Sequence, residues 1–239
     1  MLRIINCLSD SKRAPEDGTF VHPFYRDTFA ALYGINAEKC SEEEGACPDA
    51  NLKMLLPLIK NAAKGYEDRI GFFYDVRTTE EFGYPAPEYL LLHGAGLTHV
   101  SPLGVKGMKA LAFPFALLLA EQEMKEGDYA LVCCAQLDTP FDPGGRYEAG
   151  VLLLDKIAAN EGTQNRENTL ILSYGHNLSE AEFADYRKVH PAKAVCCDPD
   201  GFDMFFEQLA QLPPEEERIF SWNRNGRLGY LHVRKGAAE

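Results

Sequence analysis

The chain has 239 residues, 46% hydrophobic and 25% charged, which is enough for a sizeable core and argues against intrinsic disorder. Its formal net charge of −12 at pH 7 argues against nucleic acid and anionic membranes as partners, because both are polyanionic. No apolar run reaches the roughly 18 residues of a membrane span, and the first residues lack a signal-peptide core, so a cytoplasmic location is expected.

The first part of the chain is predicted to alternate strands and helices. In chain order, the apolar patterns predict a strand at Leu2–Leu8, a helix at Asn51–Gly65, a strand at Arg69–Val76, a short helix at Glu88–Gly94, a short strand at Thr98–Ser101, a central helix at Met108–Glu126, and strands at Tyr129–Gln136 and Ala149–Ile157. Residues 9–50 are rich in turn formers, with a short helix predicted near Arg26–Tyr33. Pro57 is expected to kink its helix or mark the true first turn, and Pro114 is expected to bend the central helix.

A polar segment, residues 158–168, separates these elements from a second, shorter series. The predicted elements after it are a strand at Thr169–Tyr174, a helix at Ser179–Val189, a strand at Lys193–Cys197, a helix at Asp203–Gln211, and strands at Arg218–Asn223 and Arg227–Arg234. Ser179 and Glu182 form a capping-box pattern, and Asn225-Gly226 is a strong hairpin signal. The alternation of strands and helices predicts an α/β layered fold.

Seven cysteines are present, including the adjacent pairs Cys133-Cys134 and Cys196-Cys197. Neighbouring residues on a strand point to opposite faces, so these pairs are expected to be buried, reduced thiols. Their spacing does not match a zinc site, and Gly144-Gly145 does not follow a strand–helix junction of phosphate-binding type. No cofactor or metal is therefore expected.

The central run resembles the centre of ketoacyl synthases and of the wider thiolase-like family. The similarity lies in the order of central helix, Gly127-Asp128 turn, apolar strand YALVCCAQ, loop and strand AGVLLLDKI, and it is clearest over residues 69–157. It implies a thiolase-like fold of two βαβαββ halves, residues 1–157 and a minimal 169–239, joined by the loop 158–168. The layers are expected in the order α-β-α-β-α.

In that family the start of the central helix carries a catalytic cysteine, but this chain has no cysteine between Cys47 and Cys133. The matching position falls near Gly104 in one alignment and near Lys109 in another. Ser101 is the only hydroxyl residue in the stretch 100–110. His176, after the first strand of the second half, matches the family's first active-site histidine. The place of the second supporting residue reads Cys197-Asp198, and an ionised Asp cannot donate a hydrogen bond.

The resemblance extends to short ketoacyl synthase-like proteins and chain-length factors. It implies a degenerate, non-condensing subunit that acts with a ketosynthase in fatty acid or polyketide/aryl-polyene type biosynthesis. The expected partners are a second copy or a ketosynthase, and a carrier protein whose phosphopantetheine holds the acyl group. The residues expected to form the dimer interface and line the acyl tunnel are Phe113, Phe115, Leu117, Tyr129, Leu131 and Cys133. Carrier docking is assigned to Arg224, Arg227 and Arg234.

Two alternatives remain open from the sequence. One is an acyltransferase or thioesterase-like enzyme of the same fold, in which Ser101 replaces the cysteine nucleophile and His176 assists it. The other is an unrelated α/β binding protein whose central helix matches by chance. Whether the chain retains catalysis is also open.

Overall fold

The structure is a computed structural model that describes residues 1–13, 19–20, 40–41, 49–77, 87–137, 146–158, 170–198 and 201–236. The described strands are β1 (Leu2–Arg13), β2 (Thr19–Phe20), β3 (Cys40–Ser41), β4 (Ile70–Arg77), β5 (Ser101–Val105), β6 (Tyr129–Leu137), β7 (Arg146–Lys156), β8 (Leu170–Leu178), β9 (Lys193–Cys196), β10 (Glu217–Arg224) and β11 (Arg227–Lys235). The α-helices are α1 (Asp49–Ala63), α2 (Pro87–Ala95), α3 (Ala112–Glu123), α4 (Glu180–Val189) and α5 (Asp203–Ala210).

Nine of the described strands form one sheet in the order β5-β4-β6-β7-β1-β8-β11-β10-β9. Within the first half, β5, β4 and β6 are parallel neighbours, and the antiparallel β7 separates β6 from β1. The second half repeats this pattern, because β9 and β10 are parallel and the antiparallel β11 separates β10 from β8. The halves meet where β1 pairs with β8 at the start of both strands. The duplication is therefore present in the topology.

The second half is the smaller one. Only residues 197–202 separate β9 from α5, too few for counterparts of α2 and β5. The predicted connecting loop, 158–168, lies outside the described residues except for Ala158, so that domain boundary stays a prediction.

Two hydrophobic cores lie on opposite faces of the first half of the sheet. Along β6 the side chains alternate, with Val132 in the inner core and Leu131 in the outer core. The outer core is covered by α1 and α2. The inner core surrounds α3 and α5 and also contains Phe220 and Leu231 from the second half. With α4 on the far side of the second half, the layers follow the predicted α-β-α-β-α order.

Most predicted elements are present, with shifted ends. The short strand near Thr98–Ser101 lies instead at Ser101–Val105 as β5. The capping box at Ser179 and Glu182 and the hairpin across Asn225-Gly226 are confirmed. The helix predicted near Arg26–Tyr33 lies outside the described residues.

Both prolines lie inside their predicted helices, at different distances from the helix start. Pro57 lies inside α1, which continues from Asp49 to Ala63. Pro114 is the third residue of α3. A proline in the first turn displaces no intrahelical hydrogen bond, because the first N–H groups have no intrahelical partner. Pro114 thus lies within the central helix, as predicted, but the α-helix starts at Ala112 rather than at Met108, so Pro114 falls in its first turn, where a proline gives no reason for a bend.

A buried ion pair lies within β4. Arg77 Nε donates to Asp75 Oδ1 at 2.7 Å. The exposed fractions of the two side chains are 1% for Arg77 and 0% for Asp75. The nearby Lys106 Nζ is 3.6 Å from Glu88 Oε2. Burial raises the pKa of Asp75, and Arg77 opposes this rise. The outer core thus contains a buried carboxylate and guanidinium that compensate each other's charge.

Among the described helices, none has both the length and the apolar character needed to span a membrane.

Candidate functional site

The strongest candidate for a functional site is the region around the start of α3. The carboxyl end of β5 leads directly into this region. The last residue of β10, Arg224, donates from Nη1 to the Gly107 carbonyl at 3.3 Å. His176, near the carboxyl end of β8, lies with its ring 5.0 Å from that of Phe115. The carboxyl ends of strands from both halves therefore converge here, and in α/β sheets ligands bind at such ends.

Lys109 occupies the start of the central helix. A 3₁₀ turn, Lys109–Leu111, precedes α3, and no side chain caps the N-terminus of either segment. Lys109 has a φ of 52°, in the left-handed region that non-glycine residues seldom adopt. Of the two positions that the resemblance gives for the cysteine, Gly104 lies inside β5 and Lys109 lies at a helix start, so Lys109 is the better match, and this assignment stays a prediction. A helix N-terminus favours an anion, and here the chain places a cation.

The described cysteines are unsuited to thiolate chemistry at this site. Burial raises the pKa of Cys7 and of Cys197 to about 12, and raises those of Cys133 and Cys134 well above their usual range. Among the cysteines whose side chains the structure describes, only Cys196 is exposed. It ends β9 and does not belong to the α3 region.

His176 lies beside the first turn of α3. Its side chain is half-buried, and burial lowers its pKa, so the imidazole is neutral near pH 7. A Cβ on the preceding Gly175 would lie 2.2 Å from the Tyr230 ring, so only glycine fits beside this tyrosine. A catalytic role for His176 stays a prediction.

Ser101 is separated from this region. It is the exposed first residue of β5, whereas α3 follows the last residue, Val105. Four steps along a strand span about 13 Å. Among the described contacts none joins Ser101 to His176. A joint role of these two residues therefore has no contact to support it and stays a prediction.

The residues predicted to form an interface are part of the core. Strand β6, with Tyr129, Leu131 and Cys133, is hydrogen-bonded on one edge to β4 and on the other to β7. Both edges of β6 are filled by strands of the same chain, so a partner strand cannot pair there, and a dimer interface formed by these residues stays a prediction. Phe113 and Leu117 are completely buried, and Phe115 is half-buried. Phe113 packs at 5.2 to 6.3 Å against the rings of four aromatic residues: Phe202, Phe205, Phe206 and Trp222.

The predicted basic cluster is divided between the two ends of a hairpin. Arg224 and Arg227 flank the Asn225-Gly226 turn, and Arg234 lies opposite Glu217 at the other end. Arg234 lies seven positions after Arg227, about 24 Å along a strand. The three arginines thus do not form a single surface. Arg224 alone reaches the α3 region directly.

A second feature, which sequence reasoning missed, is a cavity of about 260 Å³ at the start of α5. It is lined by Ser9, Asp10, Ser11, Glu148, Ala149, Phe202, Asp203, Phe206 and Glu207. Glu148 is 6% exposed, and its Oε2 accepts the Phe202 and Asp203 backbone N–H groups at 3.3 and 3.1 Å. Burial, and then the charge of Asp203, raise the pKa of Glu148 to about 7. The available signal was an acidic residue directly before the predicted apolar strand Ala149–Ile157.

Known proteins match this chain in structure and not in sequence. No protein-family model matches the chain, and no curated protein sequence matches it. A variant of OleA from Xanthomonas campestris superposes with a TM-score of 0.60 and 12% identity, covering 98% of each chain. The 3-oxoacyl-(acyl carrier protein) synthase III of Pseudomonas aeruginosa gives 0.54 and 12%, covering 99% of this chain and 98% of the other.

AbyA1, a tetronic acid condensing enzyme, gives a TM-score of 0.58 at 9% identity, covering 98% of this chain and all of the other. These proteins share the thiolase-like fold. The chain therefore has the thiolase-like fold that its central run predicted. At this low identity the likeness is one of fold. An unrelated α/β fold is excluded.

Proposed function

We propose that this protein is a degenerate β-ketoacyl synthase-like subunit that does not itself condense acyl groups. In this role it acts with a ketosynthase in fatty acid or polyketide/aryl-polyene type biosynthesis, as a chain-length factor does. The observation that carries the proposal is Lys109 at the start of the central helix. The shared fold with a 3-oxoacyl synthase and a tetronic acid condensing enzyme supports the biosynthetic class.

The chemistry of condensation explains why Lys109 matters. Attack on an acyl thioester requires a thiolate, which a helix N-terminus stabilises. An ammonium group offers no lone pair for that attack. Ser101 does not substitute, because it lies at the far end of β5. His176 remains beside α3 and is proposed to contact a bound acyl group without a covalent step.

The proposed partner contact uses the free edge of the sheet. In the described part of the sheet β5 is an edge strand, since only β4 pairs with it. Leu103 on β5 is 39% exposed, and Tyr89 and Leu90 on the adjacent α2 are 60% and 42% exposed. Such an apolar patch beside an open strand edge suits a second subunit, either another copy or a ketosynthase.

A carrier protein is proposed to approach the α3 region. The protein as a whole is acidic, yet Lys109 lies at the start of α3, and Arg224 and Arg227 flank the adjacent hairpin turn. A local cationic patch suits a phosphopantetheine phosphate or an acidic carrier. The proposed acyl group arrives on that carrier, and no cofactor of the chain itself is invoked.

The decisive experiment installs the missing thiol. Lys109→Cys places a cysteine at a helix N-terminus, which lowers the pKa of a thiol. With a pKa near 7, about a quarter of the thiols are ionised at pH 6.5, whereas about 1% of ordinary thiols are ionised at that pH. We expect an acyl-thioester to label Lys109→Cys at that position and to leave the wild-type chain unlabelled, as read by peptide mass spectrometry. Lys125→Cys, an exposed position just past the carboxyl end of α3, is the matched control and should label at least tenfold more slowly.

An acyl adduct on the wild-type chain, or condensation by the wild-type chain alone, refutes the non-condensing role. Equal labelling of Lys109→Cys and Lys125→Cys refutes the claim that the α3 start keeps the geometry of a nucleophile site. Copurification with a ketosynthase tests the partner separately. Charged substitution of Leu103 should abolish that copurification without unfolding the chain, because the side chain is exposed.

A further inference from the structure

The side chains of β8 alternate between the two faces of the sheet as far as His176. Tyr174 packs against the inner core, and the His176 ring, two residues farther along, lies against Phe115 of α3. Gly175 points to the outer face, because a Cβ built on it would lie 2.2 Å from the Tyr230 ring, which packs on α4. His176 thus takes the inner face that a regular strand assigns to it.

The alternation breaks immediately after His176. In a regular strand Leu178 would share the inner face with His176, yet its Cδ1 lies 2.9 Å from the Cβ position of Gly175 on the outer face. The pairing with β11 gives the cause, because two residues of β8, His176 and Asn177, lie opposite the single residue Gly229. This arrangement is a β-bulge, whose extra residue returns Leu178 to the outer face.

The backbone of Asn177 makes the bulge possible. Its φ is 59°, in the left-handed region that glycine and, among the other residues, asparagine adopt most readily. The Asn177 side chain is exposed, so the residue contributes a backbone conformation rather than packing. Bulges recur beside functional sites, where they change the direction of side chains.

The bulge leaves space on the inner face beside His176. Gly229 has no side chain there, and a Cβ on it would lie 2.9 Å from Pro114 in the first turn of α3. Leu178 is turned away from the same space. The imidazole is half-buried, and within the described part of the chain neither of its nitrogens has a hydrogen-bond partner. A neutral imidazole has one donor and one acceptor, so both are available to a ligand.

We propose that Asn177 is a positioning residue, whose left-handed backbone holds the bulge that turns Leu178 to the outer face and keeps the inner face beside His176 open to a bound acyl group. A regular strand would place the Leu178 side chain on the same face as His176, where it would cover the imidazole. The positioning follows from the geometry of β8 and β11, whereas the acyl ligand rests on the proposed function.

Chemical access to the imidazole tests the bulge without any natural ligand. Diethylpyrocarbonate modifies neutral imidazoles, and peptide mass spectrometry of the full chain gives the rate at His176. Asn177→Val places a β-branched residue in the left-handed region and should slow that rate about fivefold or more, because the regular strand becomes favoured. Asn177→Gly should keep the wild-type rate. The double variant Asn177→Val/Leu178→Ala should recover it, because the covering side chain is removed.

Glu215→Val is the matched control. Glu215 is also exposed, has a φ of 63° and precedes β10, at the end of the hairpin farther from Gly229. The variant carries the same kind of backbone penalty and should leave the rate at His176 unchanged. Equal rates in the wild type and Asn177→Val, equal slowing in Glu215→Val, or no recovery in the double variant overturns the proposal. If Asn177→Val does not fold, Asn177→Ala replaces it with the same expectations.

A second measurement separates the bulge from the proposed function. An acyl-pantetheine thioether, which cannot transfer its acyl group, is titrated into the protein while the His176 imidazole signals are followed by NMR. The wild type and Asn177→Gly should bind it equally, and Asn177→Val about fivefold or more weakly. No binding to the wild type overturns the acyl ligand, and the modification rates then still decide the bulge. Equal binding to the wild type and Asn177→Val overturns the role of the bulge in acyl binding.

Discussion

Removing the arginine from the buried pair of β4 should destabilise the protein strongly. At the observed 2.7 Å, two unit charges attract by about 6 kcal/mol at an effective dielectric constant of 20. The cost of burying both groups offsets much of this, but removing one partner leaves the other charge uncompensated, at about 3–5 kcal/mol. We therefore expect Arg77→Met to lower the free energy of unfolding by about 4 kcal/mol at pH 8, a large share of the roughly 5–15 kcal/mol typical of a domain.

The partner variants separate the pair from simple loss of packing. The double variant Asp75→Leu/Arg77→Met removes both charges and should recover most of the loss, since hydrophobic replacements of buried pairs are often neutral. The loss in Arg77→Met should also be smaller at pH 5 than at pH 8. Burial already raises the pKa of Asp75, and without Arg77 a proton can neutralise the orphaned carboxylate at the lower pH.

Urea unfolding followed by tryptophan fluorescence measures these differences. Trp222 is the single tryptophan of the chain and is completely buried, so its emission reports the loss of the core. Agreement with far-UV circular dichroism would show that the transition is two-state. A loss below about 1 kcal/mol for Arg77→Met at pH 8, or a double variant as unstable as the single one, would refute the reasoning.

Three further predictions concern the centre of the fold. Between pH 5 and 8 the free energy of unfolding of the wild type should fall by about 1–2 kcal/mol relative to that of Glu148→Gln. The pKa of Glu148 is raised to about 7 in the folded protein, so its protonated carboxyl stabilises the fold fully below about pH 4.5, and this stabilisation is lost as pH rises through 7. The same pH dependence of the free energy of unfolding in both proteins, measured by urea unfolding, would contradict this. Gly150→Ala should cost about 1–3 kcal/mol, because a Cβ there lies 2.2 Å from the Phe206 ring, and an unchanged melting temperature would contradict it. Phe113→Ala should cost about 3–5 kcal/mol in the same melts, whereas a loss under 1 kcal/mol would show that its ring contacts are unimportant.

Local patterns in the chain were sufficient to place most helices and strands. The apolar run at Tyr129–Gln136 predicted β6 to within a residue, and the Ser179 capping box predicted the start of α4. These signals are reliable because they depend on groups within one turn or on side-chain alternation along one strand. The start of α3 was placed too early, because the first residues of the helical pattern form a separate 3₁₀ turn.

The candidate site was only partly visible in the sequence. His176 was singled out, and the structure brings it beside Phe115 of α3. Ser101 was grouped with His176 because it is close in sequence to the central helix. Residues 101–105 form the extended strand β5, however, so Ser101 lies at the end of β5 that is farther from α3. Glu148 was missed, because nothing within its strand shows that it will lie against the N-terminus of α5, more than fifty residues later.

The order of elements, the fold class and the missing cysteine follow from the amino-acid sequence, since short-range periodicity, turn chemistry and residue identity are written along the chain. Tertiary structure decided which strand edges are filled, which arginines reach the site, and which acidic groups are buried. Gly107 and Arg224, for example, are 117 residues apart in sequence and in contact in the fold. Such contacts depend on how distant segments pack together, and pKa values and partner surfaces depend on those contacts.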